Sequence, residues 1–381
     1  MRSLWMTALA GMGALACSNG NDGGNAGEAP HDGKLRALTY NTALAPDFEP
    51  LTEVRKPLIE AALSDLATDL DVLCVQEYWK YSDLDDLDAA LDGKLDYGLR
   101  HAPVPGSGAC SDEDLSALGG CVASACGTAT GIDLVACAQT ECAEPIQSID
   151  GGCLGCFLDH LEDTEFSACY GDAVKDPALF GGTFDVGLFA RYPLIAEAAL
   201  EYDSYFVRAA ALFARIDVPE LGPVDTFCTH LGSSLGVIPY QGRFSSWEGE
   251  HAHQVEQLID FISANASGAN PVLVLGDLNM GPASAGPPPV SAELPDDLRA
   301  LLDSGLDNAV TDEACTLCSD NVLRGEGSAD TWVDHVLVRG FSGPVSTERI
   351  LREPFTLSTP DGDVPMNLSD HYGLRAELSN E

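Results

Sequence analysis

The chain has 381 residues, 45% hydrophobic and 21% charged, which suits a globular protein able to bury one large core or two smaller ones. Its 19 basic and 60 acidic residues give a formal charge of −41. That balance disfavours nucleic acid as a partner, because polyanion binding is driven mainly by Lys and Arg displacing counterions. It favours a soluble chain that resists association, and a monomer is expected.

Residues 1–17 carry an early cation, Arg2, and then a largely apolar run from Leu4 to Leu15 that is too short to span a membrane as a mature helix. They read as an export signal. The Leu-Ala-Cys ending resembles a bacterial lipoprotein signal, which would place a lipid on Cys17; an ordinary cleaved signal is the alternative. Residues 18–34 read as a flexible tether by composition. The expected location is therefore an outer-membrane or cell-surface lipoprotein, or otherwise a secreted protein, with membrane contact through the N-terminal anchor.

One domain is expected over 35–381. Residues 35–43 read as a strand, and 51–66 place Val54, Leu58, Ala61 and Ala62 at helical spacing. Residues 70–76 read as a second strand, ending at Glu77, and an acidic helix follows near 83–92. From 102 to 180 the chain turns to small residues, acids and eight cysteines, Cys110 to Cys169. This stretch reads as a largely helical insertion, with 133–143 and 153–162 as a cross-linked helical hairpin. An even cysteine cluster on an exported chain points to disulfides. Zinc ligation by Cys153-x-x-Cys156 and Cys315-x-x-Cys318 is the competing reading. Cys315 and Cys318 are expected to staple a loop, and Cys74 and Cys228 to be buried in apolar strands, either free or paired.

Strand patterns resume at 184–191, 209–217 and 224–231. A helix follows at 251–264, with Val255, Leu258, Ile259 and Ile262 on one face. The stretch VLVLGDLNMGP, 272–282, opens as a buried strand; a helix at 296–304 and strands at 331–338 and 371–378 complete the chain. Strands with intervening helices imply an α+β chain of two sheets packed face to face with helices outside.

Polar residues collect at the strand ends: Asn41, Glu77, His230, Asp277, Asn279, Asp334, and then Asp370 and His371. Singly, each has an ordinary explanation as a turn former, a solvated acid or a half-buried histidine. Together, Glu77, Asp277, Asp370 and Asn41 form an oxygen-donor set of the kind Mg²⁺ prefers, with Mn²⁺ or Ca²⁺ as alternatives. Two histidines could move protons, one of them oriented by an acid. The period of two would place Asp277 and Asn279 on one side of their strand, and Gly276 would leave room for a substrate. His335 reads as structural, and His251 and His253 as solvated or capping residues.

The order TYN, VQE, FARYPL, THL, GDLN, VDHVLV, SDHY resembles the endonuclease/exonuclease/phosphatase superfamily over about 35–100 and 182–379. The resemblance implies a four-layered αββα sandwich with its site at one edge of mostly antiparallel sheets. It implies Glu77 as principal Mg²⁺ ligand, helped by Asn41 and Asp370. It implies His371 as the base that activates water, Asp334 orienting it, and His230 supporting the phosphate or leaving group. Asp277 and Asn279 would hold the water and phosphate. Arg191 is a candidate phosphate contact with the better family match, and Arg243 a second candidate.

Three functions compete at this stage. The first is a phospholipid phosphodiesterase resembling neutral sphingomyelinase, favoured by the export signal, the acidic surface and the RKPLIEAAL and THLGSS contexts. The second is an extracellular nuclease, which would need a basic face. The third is a non-enzymatic surface protein that binds a partner through its Cys-rich insert. Other phosphoesters, such as inositol phosphates, complete the range. No apolar membrane-inserting hairpin is evident in the sequence.

Overall fold

The computed structural model describes residues 32–380, apart from 47, 105–109, 130, 150, 162–168, 170–178, 235–237, 287, 311–313, 326 and 360–361. The expected signal, Cys17 and nearly all of the expected tether lie outside the described residues.

Alternation along the strands decides the layering. In β1 (Lys34–Asn41), Leu35 and Ala37 face one side and Leu38 and Tyr40 the other, all fully buried, as a strand covered on both faces requires. The first sheet runs, edge to edge, β11 (Val345–Ile350), β14 (Gly373–Ser379), β1, β2 (Val72–Gln76), β4 (Gly187–Ala190), β3 (Tyr97–Arg100). The second runs β5 (Leu194–Glu201), β6 (Ala210–Val218), β7 (Gly222–His230), β8 (Val272–Asp277), β10 (Asp334–Arg339), β9 (Asp307–Asn308). The inward side chains of both sheets, among them Ala37, Val72, Leu212, Leu275, Val336 and Ala376, form one core between them. Outside the first sheet, Leu38, Leu73 and Val75 pack against α1 (Thr52–Leu66) and α2 (Tyr81–Leu91). Outside the second, Phe213, Phe227 and Val274 pack against α7 (Trp247–Asn265) and α8 (Pro295–Asp303). The chain is thus the expected four-layered αββα sandwich. Cys74 of β2 and Cys228 of β7 are joined in a disulfide, a covalent tie across the two sheets.

Two parallel pairs aim the polar strand ends at one edge. β1 and β2 run parallel and finish with Asn41 opposite Gln76; β7 and β8 run parallel and finish with His230 opposite Asp277. β10 runs antiparallel to β8 and starts with Asp334 opposite Asp277. The other pairings within the two sheets are antiparallel.

Between β3 and β4 lie α3 (Asp112–Ala125), α4 (Gly131–Glu141), α5 (Ala143–Ser148) and α6 (Gly151–Asp159). The cross-linked hairpin is not the one expected. Cys121–Cys142 and Cys126–Cys137 join α3 to α4, whereas α6 is tied to Cys110 through Cys153 and to Cys169 through Cys156. The zinc reading fails for both Cys-x-x-Cys pairs, since all four cysteines are in disulfides. Six of the described strands were not read from the sequence, the short β3 and β9 among them. β5 is an alanine-rich edge strand and β11 a second edge strand; β12 (Phe355–Thr359) and β13 (Gly362–Met366) form a separate hairpin. No helix among the described residues is long and apolar enough to cross a membrane.

Candidate active site

At the shared edge the structure brings together two buried histidine–aspartate pairs. His371 precedes β14 and turns its Nδ1 to Asp334 Oδ2, 2.8 Å away. The backbone N–H of His371 donates to Ser369 Oγ, and that hydroxyl donates to the Asn41 carbonyl, so the segment is stitched to the end of β1. His230 ends β7, and its Nδ1 lies 2.5 Å from Asp185 Oδ2. The other ring nitrogens converge: His371 Nε2 is 3.7 Å and His230 Nε2 is 3.6 Å from Asp277 Oδ2. Each histidine therefore has one nitrogen fixed by a carboxylate, which leaves the other for proton transfer.

Asp185 is the foremost of the residues that the sequence did not reveal. It lies in the first residues of the 184–191 stretch, read simply as strand, but the strand starts only at Gly187. The three residues before it are free to turn, and Asp185 Oδ2 also accepts the Glu77 backbone N–H at 2.9 Å. A fully buried aspartate inside FDVGLFAR was the available signal.

The charges follow from this crowding. Burial alone would lower His230, but the Asp185 carboxylate, with Asp277 and Glu77 beyond it, outweighs burial and lifts its pKa to about 10. Burial likewise opposes protonation of His371, and Asp334 and Asp370 overcome it, holding the pKa well above the usual value. The acids move the same way. Burial raises Glu77, assisted by Asp370. Burial and then Asp334 raise Asp277. Burial, Asp370 and Glu77 push Glu49 to about 8. Glu49 was not singled out in the sequence; its loop brings it against these acids.

Such an excess of buried oxygen fits a hard divalent cation. Ligand atoms of Asp277, Asp334 and His371 lie within 4.8 Å of one another. Asp185 Oδ1 and Asp334 Oδ1 are buried with no hydrogen-bond partner among the described residues. Asn41 corrects an expectation. Its Oδ1 accepts the Ala43 N–H at 3.0 Å, and its Nδ2 donates to Glu77 Oε1 and to Asp277 Oδ2, each at 2.9 Å. Asn41 thus bridges two carboxylates with its amide N–H groups and is not placed as an oxygen ligand. Glu77 and Asp370 are the candidate ligands from the expected set. Asp370 sits with Oδ1 3.8 Å from His371 Nε2 and Oδ2 3.9 Å from Arg324 Nη1.

Above the histidines is a cavity of about 300 Å³. Glu77, His230, Asp277, Asn279 and His371 line its polar side. Phe48, Glu49, Trp79, Phe180, Ile238 and Trp247 line the rest. Trp79 stacks on Phe180 with ring centroids 4.5 Å apart, and Phe48 meets the edge of Phe180 at 5.7 Å. Trp79 Nε1 is buried without a hydrogen-bond partner among the described residues. The Cys-rich helices stand behind this wall. Their core, with Leu154, Phe157 and Leu179, is continuous with Phe206, Ile238 and Trp247, and Phe48 and Phe180 pack against it.

The remaining expectations are settled by position. Arg191 follows β4 at the end of the strands away from the site, where Ala190 pairs with Val72, the first residue of β2. Its guanidinium donates to the carbonyls of Ala67 and Leu70 and lies near Asp71, so it staples the turn before β2 and is no phosphate contact. Arg243 is exposed and paired with Asp203. Gly276 does not make room for a substrate: a Cβ there would lie 2.0 Å from the Thr229 carbonyl, so the glycine permits the close approach of β7 and β8. Asp277 and Asn279 do share a side, but not by strand alternation. β8 ends at Asp277, Asn279 has φ +47°, and its N–H turns back to Asp277 Oδ1 at 2.9 Å. Asn279 Nδ2 then donates to the Leu231 carbonyl and lies 3.2 Å from His230 Nε2. His335 is buried, donates to the Met280 carbonyl, and is structural as expected. His251 is not solvated; it is a buried strut between Asp297 and the Leu278 carbonyl. His253 is half-buried, 3.0 Å from Asp203 and stacked on Phe244.

The sequence model described as the Endonuclease/Exonuclease/phosphatase family matches residues 38–371. No curated protein matches the chain. Among solved structures, sphingomyelinase C from Streptomyces griseocarneus superimposes with a TM-score of 0.55 at 17% identity, covering 90% of this chain and 99% of that one. A mutant beta toxin from Staphylococcus aureus with bound magnesium ions does so with a TM-score of 0.52 at 14% identity, covering 90% and 99%. At these identities the likeness is one of fold.

Proposed function

The chain belongs to the endonuclease/exonuclease/phosphatase family, and from that premise we propose an exported, Mg²⁺-dependent phosphodiesterase that hydrolyses a phospholipid with a cationic head group, as a sphingomyelinase does. The observation that carries this reading is the cavity wall. Phe48, Trp79 and Phe180 with Glu49 stand beside the paired histidines. Aromatic faces suit a quaternary ammonium, and a cation bound beside Glu49, which burial, Asp370 and Glu77 push to about 8, would favour its ionised form. The same surroundings, on a chain of charge −41, are hostile to a polyanion, which weighs against the nuclease reading. Two complete histidine–aspartate pairs weigh against a purely binding role.

In this account His371 enters the reaction neutral, once bound divalent charge offsets the Asp370 and Asp277 carboxylates that, after Asp334, raise its pKa. Its Nε2 then takes the proton from the attacking water, and Asp334 holds the ring so that the imidazolium formed is stabilised. Asn279 and protonated His230 face the phosphate. His230 delivers a proton to the departing lipid alkoxide as the P–O bond breaks. Glu77 and Asp370, with Glu49 facing them, would hold the cation, which when bound supplies positive charge against the phosphate and the developing oxyanion. Mn²⁺ or Ca²⁺ would suit the same oxygen set. The disulfides fit an oxidising compartment, and lipidation of Cys17 would keep the enzyme at a membrane surface.

Replacing Trp79 tests the head-group reading. Trp79→Ala should raise KM for p-nitrophenyl phosphocholine by about 2- to 30-fold, the loss of a cation–π contact of about 0.5–2 kcal/mol. Hydrolysis of bis(p-nitrophenyl) phosphate, which has no cation, should change little. Equal losses on both substrates would assign Trp79 to packing and remove the main support for a choline-type substrate.

A further inference from the structure

The Asp334–His371 pair is built from two different sheets. Asp334 opens β10 in the second sheet, and His371 leads into β14 in the first. Their 2.8 Å contact therefore depends on how the sheets are held together at this edge. Four residues, Cys315 to Cys318, reach both sides. Thr316 is 1% exposed, and its Oγ accepts the backbone N–H of Asp334 at 3.1 Å and of Val333 at 3.2 Å. Its carbonyl accepts the N–H of Tyr372, the residue after His371, at 2.9 Å. Leu317 bridges to both Thr331 and His371. The Cys315–Cys318 disulfide closes the loop, and Arg349 of β11 donates to the Cys315 carbonyl at 3.0 Å.

We propose that Thr316, held in place by the Cys315–Cys318 disulfide, is the positioning residue for the Asp334–His371 pair. One side chain and one carbonyl of the same residue set the backbone of both partners, so displacement of Thr316 shifts the carboxylate relative to the imidazole. A misplacement of about 1 Å at a proton-transfer pair is enough to cost about 100-fold in rate. The loop also packs on Val290, Trp332 and Tyr372, and a role confined to packing would lower stability without touching the pair.

The kinetic arm of the test rests on the phosphodiesterase reading; the spectroscopic arm does not. A buried imidazole N–H donating to a carboxylate gives a far-downfield proton resonance, and this protein should show two, one from His371 and one from His230. His371→Ala identifies the first, and the Asp185–His230 resonance serves as internal reference. Thr316→Val removes the hydroxyl oxygen at nearly constant volume. It should broaden or abolish the His371 resonance and leave that of His230, while kcat on bis(p-nitrophenyl) phosphate falls about 10- to 100-fold with KM within about twofold. Thr316→Ser should restore both readouts. Cys315→Ala/Cys318→Ala should reproduce the valine phenotype, and it carries the test should Thr316→Val not fold. Retention of the His371 resonance and of kcat in the valine and double cysteine variants, or failure of serine to restore them, overturns the proposal. Absence of phosphodiester hydrolysis by the wild type, together with the predicted loss of the His371 resonance in Thr316→Val, would refute the functional reading alone.

Discussion

At the scale of single residues, two carboxylates divide the work between two histidines. Asp334 serves the His371 side and Asp185 the His230 side. Because Asp185 outweighs the burial of His230 and lifts its pKa to about 10, His230 stays protonated through neutral pH and can hold a phosphate oxygen or a leaving group. Asp185→Asn removes the largest of the attractions that offset burial, leaving only those of Asp277 and Glu77, so the pKa falls. His230 should then lose its proton at a lower pH, the alkaline limb of the kcat profile should move to lower pH, and kcat at pH 9 should fall about 10²-fold. An unmoved alkaline limb would show that Asp185 does not set the charge of His230. His371, Asp334, Asp277 and Glu77 were legible because their short motifs occur in a recognisable order. Asp185 was not, because its neighbours form an apolar run whose alternation suggests strand and hides the turn that aims it. Asn41 was legible as a site residue but not in its orientation, which depends on the Ala43 N–H taking its oxygen.

At the scale of elements, the parallel pairs β1/β2 and β7/β8 are what gather the site, since each delivers two strand ends to the same edge. The disulfide between Cys74 and Cys228 ties β2 to β7 and spans 154 residues of chain. Cys74→Ala/Cys228→Ala should therefore lower the unfolding free energy by about 2–5 kcal/mol in denaturant titration, with KM little changed, because neither sulfur reaches the cavity. A loss below about 1 kcal/mol would show that the hydrophobic interface alone holds the sheets. Helices α1, α2, α7 and α8 and the central strands were readable from periodicity. The edge strands β3, β5 and β11 were not: β5 is rich in alanine, which contrasts weakly with its polar neighbours, and its assignment depends on the partner strand β6. The cysteine pairing of the insertion was beyond sequence reasoning, since spacing does not say which helices lie side by side.

At the scale of the whole molecule, the sandwich supplies a rigid edge, and the Cys-rich helices supply part of the wall above it. The insertion is joined through Leu179, Ile238 and Trp247 to the loops that line the cavity. That placement puts the insertion's core against the cavity wall, and under the proposed function it is where a family with shared catalytic groups would vary its specificity. The net charge of −41 weighs against a nucleic acid, in keeping with the proposed lipid substrate. The central claim is met most directly by assaying the purified protein side by side on sphingomyelin vesicles and plasmid DNA with Mg²⁺, with EDTA and His371→Ala as controls. Release of phosphocholine without DNA nicking is expected, silenced by EDTA and lowered about 10²- to 10⁴-fold by His371→Ala. DNA nicking without lipid cleavage, or phosphocholine release that ignores both EDTA and His371→Ala, would contradict the central claim.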